Sequence, residues 1–399
     1  MDVLISGASI AGPVLAYWLA EYGARVTVVE RAPALRKTGG HAIDLFRPAM
    51  VIAERMGVLP RVEARATGTT TLTAHRPWTS RPVRMDYVKV VGAMSDRHVE
   101  IMRDDLGEIF YDAGADGVDY RFGDQITEIG DDGAVTFAAG DTRRFDLIVG
   151  ADGLHSGVRR LVFGEVVERY LGSHLAVVSV PKHVAHDGDL TGYYEPNRVA
   201  MVYTADHLDD ARAVFLFRPN TPLHVHHRDV DAQKRALAAA YAGAPSEVGR
   251  WLAELKHTPA FYFDAITQLE MPSWSRGRVT LVGDAGYCPG PAVGGSTSLA
   301  VYGAYVLACE IARADGDPAR AFAAYEALLK PSVLGSRALA RVNAKALLPG
   351  SRWGVDALVT AGRTLSLLPR AVTGPLIRLN DKGIRLYDTM PLPEPVLTR

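Results

Sequence analysis

Gly7-Ala8-Ser9-Ile10-Ala11-Gly12 stands between a short apolar run, Val3-Leu4-Ile5, and a segment with helical apolar spacing. Such a turn suits a pyrophosphate: small residues let backbone amides come close, and the start of a helix favours negative charge. Gly7, Ser9 and Gly12 meet that need. Far downstream, Gly283-Asp284-Ala285 follows another apolar run and opens a loop rich in glycine and proline that ends at Gly294 and Gly295. There prolines fix the path, glycines let backbone approach a flat ring, and the next helix offers free amides where a reduced ring would carry negative charge. Taken in this order, the two segments read as halves of one flavin site, with Asp284 near the polyol of the flavin chain.

The elements that must position these residues follow from periodicity. Pro13 to Tyr22 has helical apolar spacing, and Arg25-Val26-Thr27-Val28-Val29 is a β-branched run ending at Glu30, so the N-terminal segment reads β-α-β. Glu30, with Arg31 beside it, lies where a carboxylate can accept hydrogen bonds from a ribose diol, and an acid there disfavours a 2′-phosphate. Ser9 replaces the middle glycine of G-x-G-x-x-G and crowds the approach slightly. Helices are expected over 52–58 and 103–113, followed by a small β-meander in four parts, 118–122, 125–129, 134–137 and 142–149. Its last member runs into Gly150-Ala151-Asp152-Gly153, which again sets backbone and one acid at the end of a buried strand.

From about residue 170 short strands bounded by turn residues indicate a mostly antiparallel sheet, interrupted by two helices near 232–241 and 246–255. The chain returns to the first lobe at 277–282. The expected fold class is α/β: a Rossmann-like FAD-binding domain (1–70, 100–168 and 277–350) with an intergrown substrate domain (71–99 and 169–276). C-terminal helices over 351–399 are expected to pack on the FAD-binding domain.

Composition excludes other classes. The 44 basic residues are balanced by 45 acidic ones, so no field recruits nucleic acid. Cys288 and Cys309 are too few for a disulfide framework and lack CxxC spacing. No stretch reaches the ~20 apolar residues of a membrane span, and no basic leader precedes Asp2; a cytoplasmic protein is expected. Oligomeric state stays open.

The combination of Gly7–Gly12 with Glu30, Arg103-Asp104-Asp105-Leu106, Gly150-Ala151-Asp152-Gly153, and Gly283-Asp284-Ala285 with Pro291 and Gly294 resembles the ordered motifs of the class A flavoprotein monooxygenases, the family of para-hydroxybenzoate hydroxylase. The resemblance spans nearly the whole chain. It implies extended FAD, NAD(P)H as a transient reductant, and O2 converted to a flavin C4a-hydroperoxide that hydroxylates an aromatic, polycyclic or natural-product-like substrate. Carried over, Gly7, Ser9 and Gly12 meet the pyrophosphate, Glu30 the adenosine ribose, and Arg103 the flavin phosphate or ribityl region, with Ile10 and Ala11 also expected to bind the cofactor. Asp284 meets the ribityl chain, Asp152 and Gly153 both FAD and NAD(P)H, while Pro291 and Gly294 line the isoalloxazine and Gly295 is also expected to bind the cofactor.

The chain departs from the family pattern beside the ring. Gly-Asp-Ala-Ala-His becomes Gly283-Asp284-Ala285-Gly286-Tyr287, and the last glycine and asparagine of Pro-x-x-Gly-x-Gly-x-Asn become Ser296 and Ser298. These departures leave an alternative open, a flavin fold whose FAD is structural and which serves as a non-redox cyclase or binding protein. No second G-x-G-x-x-G follows a strand, so nicotinamide has to visit without its own domain.

The second lobe is expected to supply a dry pocket, with Tyr193, Tyr203, Phe215 and Phe217 as substrate contacts among the strand residues Tyr194, Met201, Phe261 and Tyr262. The cluster His224, His226, His227 reads as a surface loop and not a metal site, and no catalytic base is assigned. Arg363, Arg370, Arg378 and Arg385 alternate with apolar turns in short helices broken at Pro369, Gly374 and Pro375.

Overall fold

The computed structural model of the chain describes residues 1–35, 39–91, 95, 97–223, 225–291, 295–368 and 386–396. β1 (Asp2–Ser6) passes through the glycine turn into α1 (Ala11–Glu21) and returns as β2 (Arg25–Glu30). Then come β3 (Ala42–Phe46), α2 (Arg47–Arg55), α3 (Leu59–Ala64), β4 (Thr71–His75), β5 (Val83–Asp86), α4 (Tyr87–Val91) and β6 (His98–Met102). α5 (Arg103–Gly114) leads to β7 (Val118–Phe122), β8 (Ile126–Ile129), β9 (Ala134–Phe137), β10 (Thr142–Arg144), β11 (Leu147–Gly150) and α6 (Gly157–Phe163). The next lobe holds β12 (Val167–Pro181), β13 (Asp189–Glu195), β14 (Arg198–Tyr203), β15 (Asp210–Phe217), α7 (Val230–Ala240), α8 (Ser246–Ala253) and β16 (Phe261–Glu270). After β17 (Ser275–Arg276) and β18 (Val279–Leu281) follow α9 (Asp284–Tyr287), α10 (Ser296–Arg313), α11 (Pro318–Ala346) and α12 (Arg352–Leu367).

Val3, Leu4 and Ile5 lose all accessible surface, which is why β1 is apolar without alternation: it is covered on both faces. It lies inside a six-stranded sheet of order β17-β18-β11-β1-β2-β7 and pairs in parallel with β11 and β2. Parallel pairing of these strands brings Gly7, Glu30 and Gly150 to one edge, where ligands of open α/β sheets bind. The four-part meander expected over 118–149 divides. β7 pairs in parallel with β2 and β11 with β1, leaving β8, β9 and β10 as a separate antiparallel sheet. Local periodicity marks a strand but not its partner, and the unbroken apolar Leu147-Ile148-Val149 is the signature of a strand buried on both sides.

The larger sheet has the order β16-β12-β15-β14-β13-β4-β5, antiparallel except where β13 meets β4. Its outer face buries Ala176, Val178, Phe215 and Phe217 under α7 and α8, with Leu237, Tyr241, Val248 and Trp251. Its inner face carries Leu175, Val177, Val199, Met201, Tyr203, Leu216, Tyr262 and Ile266 toward Ala42 and Met102 of the first lobe. The period of two along each strand makes that division.

Two expected helices shift. α2 starts at Arg47, not near residue 52, because Pro48 occupies the first turn, where its missing N–H breaks no helical bond. The C-terminal segment splits: α12 buries Val355 and Val359 against Ala74 and Met85 of the larger sheet and not on the FAD lobe. The tail does cross that lobe, where Tyr302 and Tyr305 donate to the Pro391 and Pro393 carbonyls at 2.8 Å each. Pro369, Arg370, Gly374, Pro375, Arg378 and Arg385 lie outside the described residues, as do His224 and Gly294. Among the described residues no helix is long and apolar enough to cross a membrane.

Candidate active site

Backbone crowding explains the glycine turn. A Cβ on Gly12 would stand 1.9 Å from the Gly7 carbonyl oxygen, and one on Gly7, where φ is +109°, would stand 2.5 Å from the Ala151 carbonyl oxygen. The turn therefore packs directly on the Gly150–Gly153 segment. Ile10, which precedes α1, provides no side-chain cap and the first turn holds no acid, so the first amides have no side chain competing for them. The Glu30 carboxylate accepts from Ala8 N at 3.0 Å and Ala32 N at 2.8 Å, which holds it beside the turn. Arg31 is exposed.

Ser9 is used. Its hydroxyl accepts from Arg103 Nη2 at 3.0 Å, tying the turn to the first residue of α5. The distant segment closes on the same place, since a Cβ on Gly283 would meet the Ala11 Cβ at 3.5 Å and the Ala300 Cβ of α10 at 3.3 Å. Arg159 ties the remaining pieces together, donating to the Ala285 carbonyl at 2.8 Å and the Leu154 carbonyl at 2.6 Å. Sequence positions from both ends of the chain thus share one cleft.

Asp284, at the start of α9, is desolvated, which raises its pKa; the nearby Arg103 charge and a Cys288 hydrogen bond pull it back. Asp152 is spent on structure: it accepts from Ser156 Oγ at 2.5 Å, Gly157 N at 2.8 Å and Val158 N at 3.1 Å, fixing the start of α6. Gly153 follows with φ of +79° and open space where a Cβ would stand. Pro291 is half-buried, and Gly295 takes the left-handed conformation ahead of α10, which has no side-chain cap.

The two departures from the family pattern are accommodated. Tyr287 turns away into the core, its ring tilted against Trp274 at 4.8 Å between centroids and its hydroxyl 3.2 Å from that of Tyr325. Ser298 Oγ accepts from Phe46 N at 2.9 Å and donates to the Asp44 carbonyl at 3.2 Å, so it ties α10 to β3.

The four expected substrate contacts separate by face. Phe215 and Phe217 lie on the outer face against Tyr241, with centroids 5.0 and 5.9 Å away, and cannot reach the cleft. Tyr193 lies there too, 5.6 Å from Trp251 and 4.7 Å from His75. Tyr203 faces inward, its hydroxyl accepting from Ala42 N at 2.5 Å. Two inward residues escaped the sequence reading. Arg212 is buried, donates through Nε to the Gly40 carbonyl at 3.0 Å and pairs with Asp210. Its signal is one charge in the apolar strand Ala211–Phe217. His41 follows a glycine pair, a modest hint that backbone is forced close; burial and the Arg103 charge lower its pKa to about 4.

His227 stacks on His155 with centroids 4.2 Å apart, and His226 lies tilted 4.3 Å from His227. Among the described residues no group of three or more His, Cys, Asp or Glu is placed to hold a metal ion.

An uncapped glycine turn, a strand-end acid and a half-buried Asp284 converging on one cleft are what a protein that binds an extended dinucleotide requires. The chain belongs to the family described as FAD binding domain, whose pattern matches residues 1–323; it is a class A FAD-dependent monooxygenase. An uncharacterized protein of Mycobacterium tuberculosis is 41% identical over 331 residues, 82% of this chain and 88% of its own length. A flavin-dependent monooxygenase of Legionella longbeachae is 35% identical over 341 residues, covering 84% and 86%. Among solved structures, the tetracycline destructase Tet(55) superposes with a TM-score of 0.82 at 32% identity, over 98% of each chain. This membership sets aside the non-redox alternative.

Proposed function

We propose that the enzyme hydroxylates an aromatic or polycyclic, natural-product-like substrate held between the larger sheet and the flavin site, with NAD(P)H as transient reductant and O2 as co-substrate. The observation that carries this is the double tie of Arg212 to Gly40 and Tyr203 to Ala42, which docks the inner sheet face beside Arg103. FAD fits the cleft because Gly7 and Gly12 leave no room for a Cβ and α1 starts uncapped. Gly7, Ser9, Gly12, Glu30, Arg103 and Asp284 would hold it, with Ile10, Ala11, Gly283, Pro291 and Gly295 shaping the cleft. When bound, it supplies reduction of O2 and transfer of one oxygen atom.

The chain supplies dryness and orientation. Leu175, Val177, Val199, Met201, Leu216 and Ile266 present an apolar wall that keeps water from the reacting centre. The Tyr203 hydroxyl, already accepting from Ala42, keeps its own proton to donate. A groove of 410 Å³ beside Leu154 is lined by His155, Arg159, Arg160, His226 and Gln233, donors that suit a nicotinamide dinucleotide's pyrophosphate. A polycyclic substrate agrees with Tet(55), whose name states action on tetracycline.

The test is stopped-flow flavin reduction by NADH and NADPH across a panel of phenols and polyketides. A matching ligand accelerates reduction by orders of magnitude, each tenfold being about 1.4 kcal/mol of barrier. Uniform rates across the panel, with no oxygen transferred to any member, overturn the reading.

A further inference from the structure

His41 and Tyr262 meet across the two lobes. His41 precedes β3 and Tyr262 lies on β16, with ring centroids 5.9 Å apart at 38°. The backbone around His41 is fixed from every side. Gly40 N donates to Asp104 at 2.6 Å, the Gly40 carbonyl accepts from Arg212 Nε at 3.0 Å, and the His41 carbonyl accepts from Arg103 N at 3.1 Å. Gly39, with φ of +93°, allows the approach: a Cβ there would stand 2.7 Å from that of Ala260, next to β16. The backbone that carries the imidazole is therefore fixed by α5 and β15 and lies close to the start of β16.

Both side chains lie deep between the lobes, yet each keeps part of its accessible surface. Among the described residues neither the imidazole nitrogens nor the Tyr262 hydroxyl has a hydrogen-bond partner. Neither group is sealed from solvent, so both stay open to a ligand. A neutral imidazole carries one acceptor and one donor, and a phenol donates its O–H.

We propose that His41 and Tyr262 form the recognition edge for a substrate ring bearing a hydroxyl next to a carbonyl, the imidazole accepting the hydroxyl proton's hydrogen bond and the tyrosine donating to the carbonyl oxygen. The proposal rests on the aromatic-hydroxylase reading above. Burial and Arg103 keep the imidazole neutral, with a pKa near 4, so its lone pair is available. Burial pushes the Tyr262 phenol up, which keeps it a donor, and Arg103 close to both favours electron density on the substrate oxygens. Tyr262 and His41 contribute opposite hydrogen-bonding senses from opposite lobes, so only a ligand spanning both is matched.

The test is calorimetric titration of the FAD-loaded enzyme with 1-hydroxy-2-acetonaphthone and with its methyl ether, in the native chain, Tyr262→Phe and His41→Phe, with flavin content measured in each sample. The native enzyme is expected to favour the free hydroxyl by about tenfold, and each variant to lose about tenfold affinity at unchanged flavin content, as for one buried hydrogen bond left unmade. Equal binding of hydroxyl and ether, no binding by the FAD-loaded native enzyme, affinities of the variants matching the native value, or loss of flavin from Tyr262→Phe would each overturn it. Should His41→Phe fail to fold, Tyr262→Phe decides, since it removes a single oxygen. A native chain that takes up no FAD contradicts the proposed function instead, a separate result.

Discussion

Arg103 Nη2 donates to Ser9 Oγ at 3.0 Å, joining the first residue of α5 to the position where the glycine pattern is broken. The serine that crowds the turn is thus the one that anchors it, and Arg103 is held where it also faces Asp284, Tyr262 and His41. Arg103→Ala is expected to weaken FAD binding by about tenfold or more, the loss of a charged hydrogen-bonding group. Ser9→Ala is expected to cost less, about 1 kcal/mol for a neutral partner. Fluorescence titration of the stripped protein with FAD reads both.

Gly12→Ala sets a methyl group 1.9 Å from the Gly7 carbonyl oxygen. No rotamer relieves a Cβ clash with backbone, so the turn must open. The expected result is a chain without flavin, destabilised by about 1–3 kcal/mol, seen as colour loss and a lower denaturation midpoint in urea.

The two faces of the larger sheet separate by mutation. Phe217→Ala empties a fully packed site beneath Tyr241 and is expected to cost about 3–5 kcal/mol of stability with ligand affinity kept. Tyr203→Phe removes only the hydroxyl that holds Ala42 N and is expected to change substrate-stimulated reduction more than stability. Chemical denaturation and stopped-flow reduction on the same samples distinguish the two.

Asp152→Ala uncaps α6, where three donors converge on one carboxylate. A loss of about 1–2 kcal/mol is expected. Equilibrium unfolding measures it.

His41 and His174 have pKa values lowered to about 4, each chiefly by burial. In the unfolded chain such groups take up protons near 6.5, so below that pH the unfolded state binds more protons than the folded one. Stability is therefore expected to be complete above pH 6.5 and to fall as pH drops toward about 4. The slope should be shallower in His174→Phe, read from unfolding midpoints across that range.

The β-α-β unit and the buried strands were legible because apolar runs, turn glycines and terminal acids are local signals. Val3-Leu4-Ile5 and Glu30 lie where periodicity sets them. Partnership was not legible. β7 and β11 join the parallel sheet through contacts with residues 92 and 144 positions away, which no local pattern records. The face of each aromatic depends on strand register, so Phe215 and Phe217 could not be told from Tyr203 by residue type. Arg212 and His41 were missed because their significance comes from Gly40, a neighbour only in the folded chain.

The account depends on the two ends of the polypeptide embracing one cofactor, with Gly283 packed on Ala11. Flavin analysis of the purified protein tests this most directly. A yellow protein from which FAD is released on denaturation, and which Gly12→Ala renders colourless, is the predicted result. A colourless native chain whose spectrum and fluorescence stay unchanged through a full titration with FAD would contradict it.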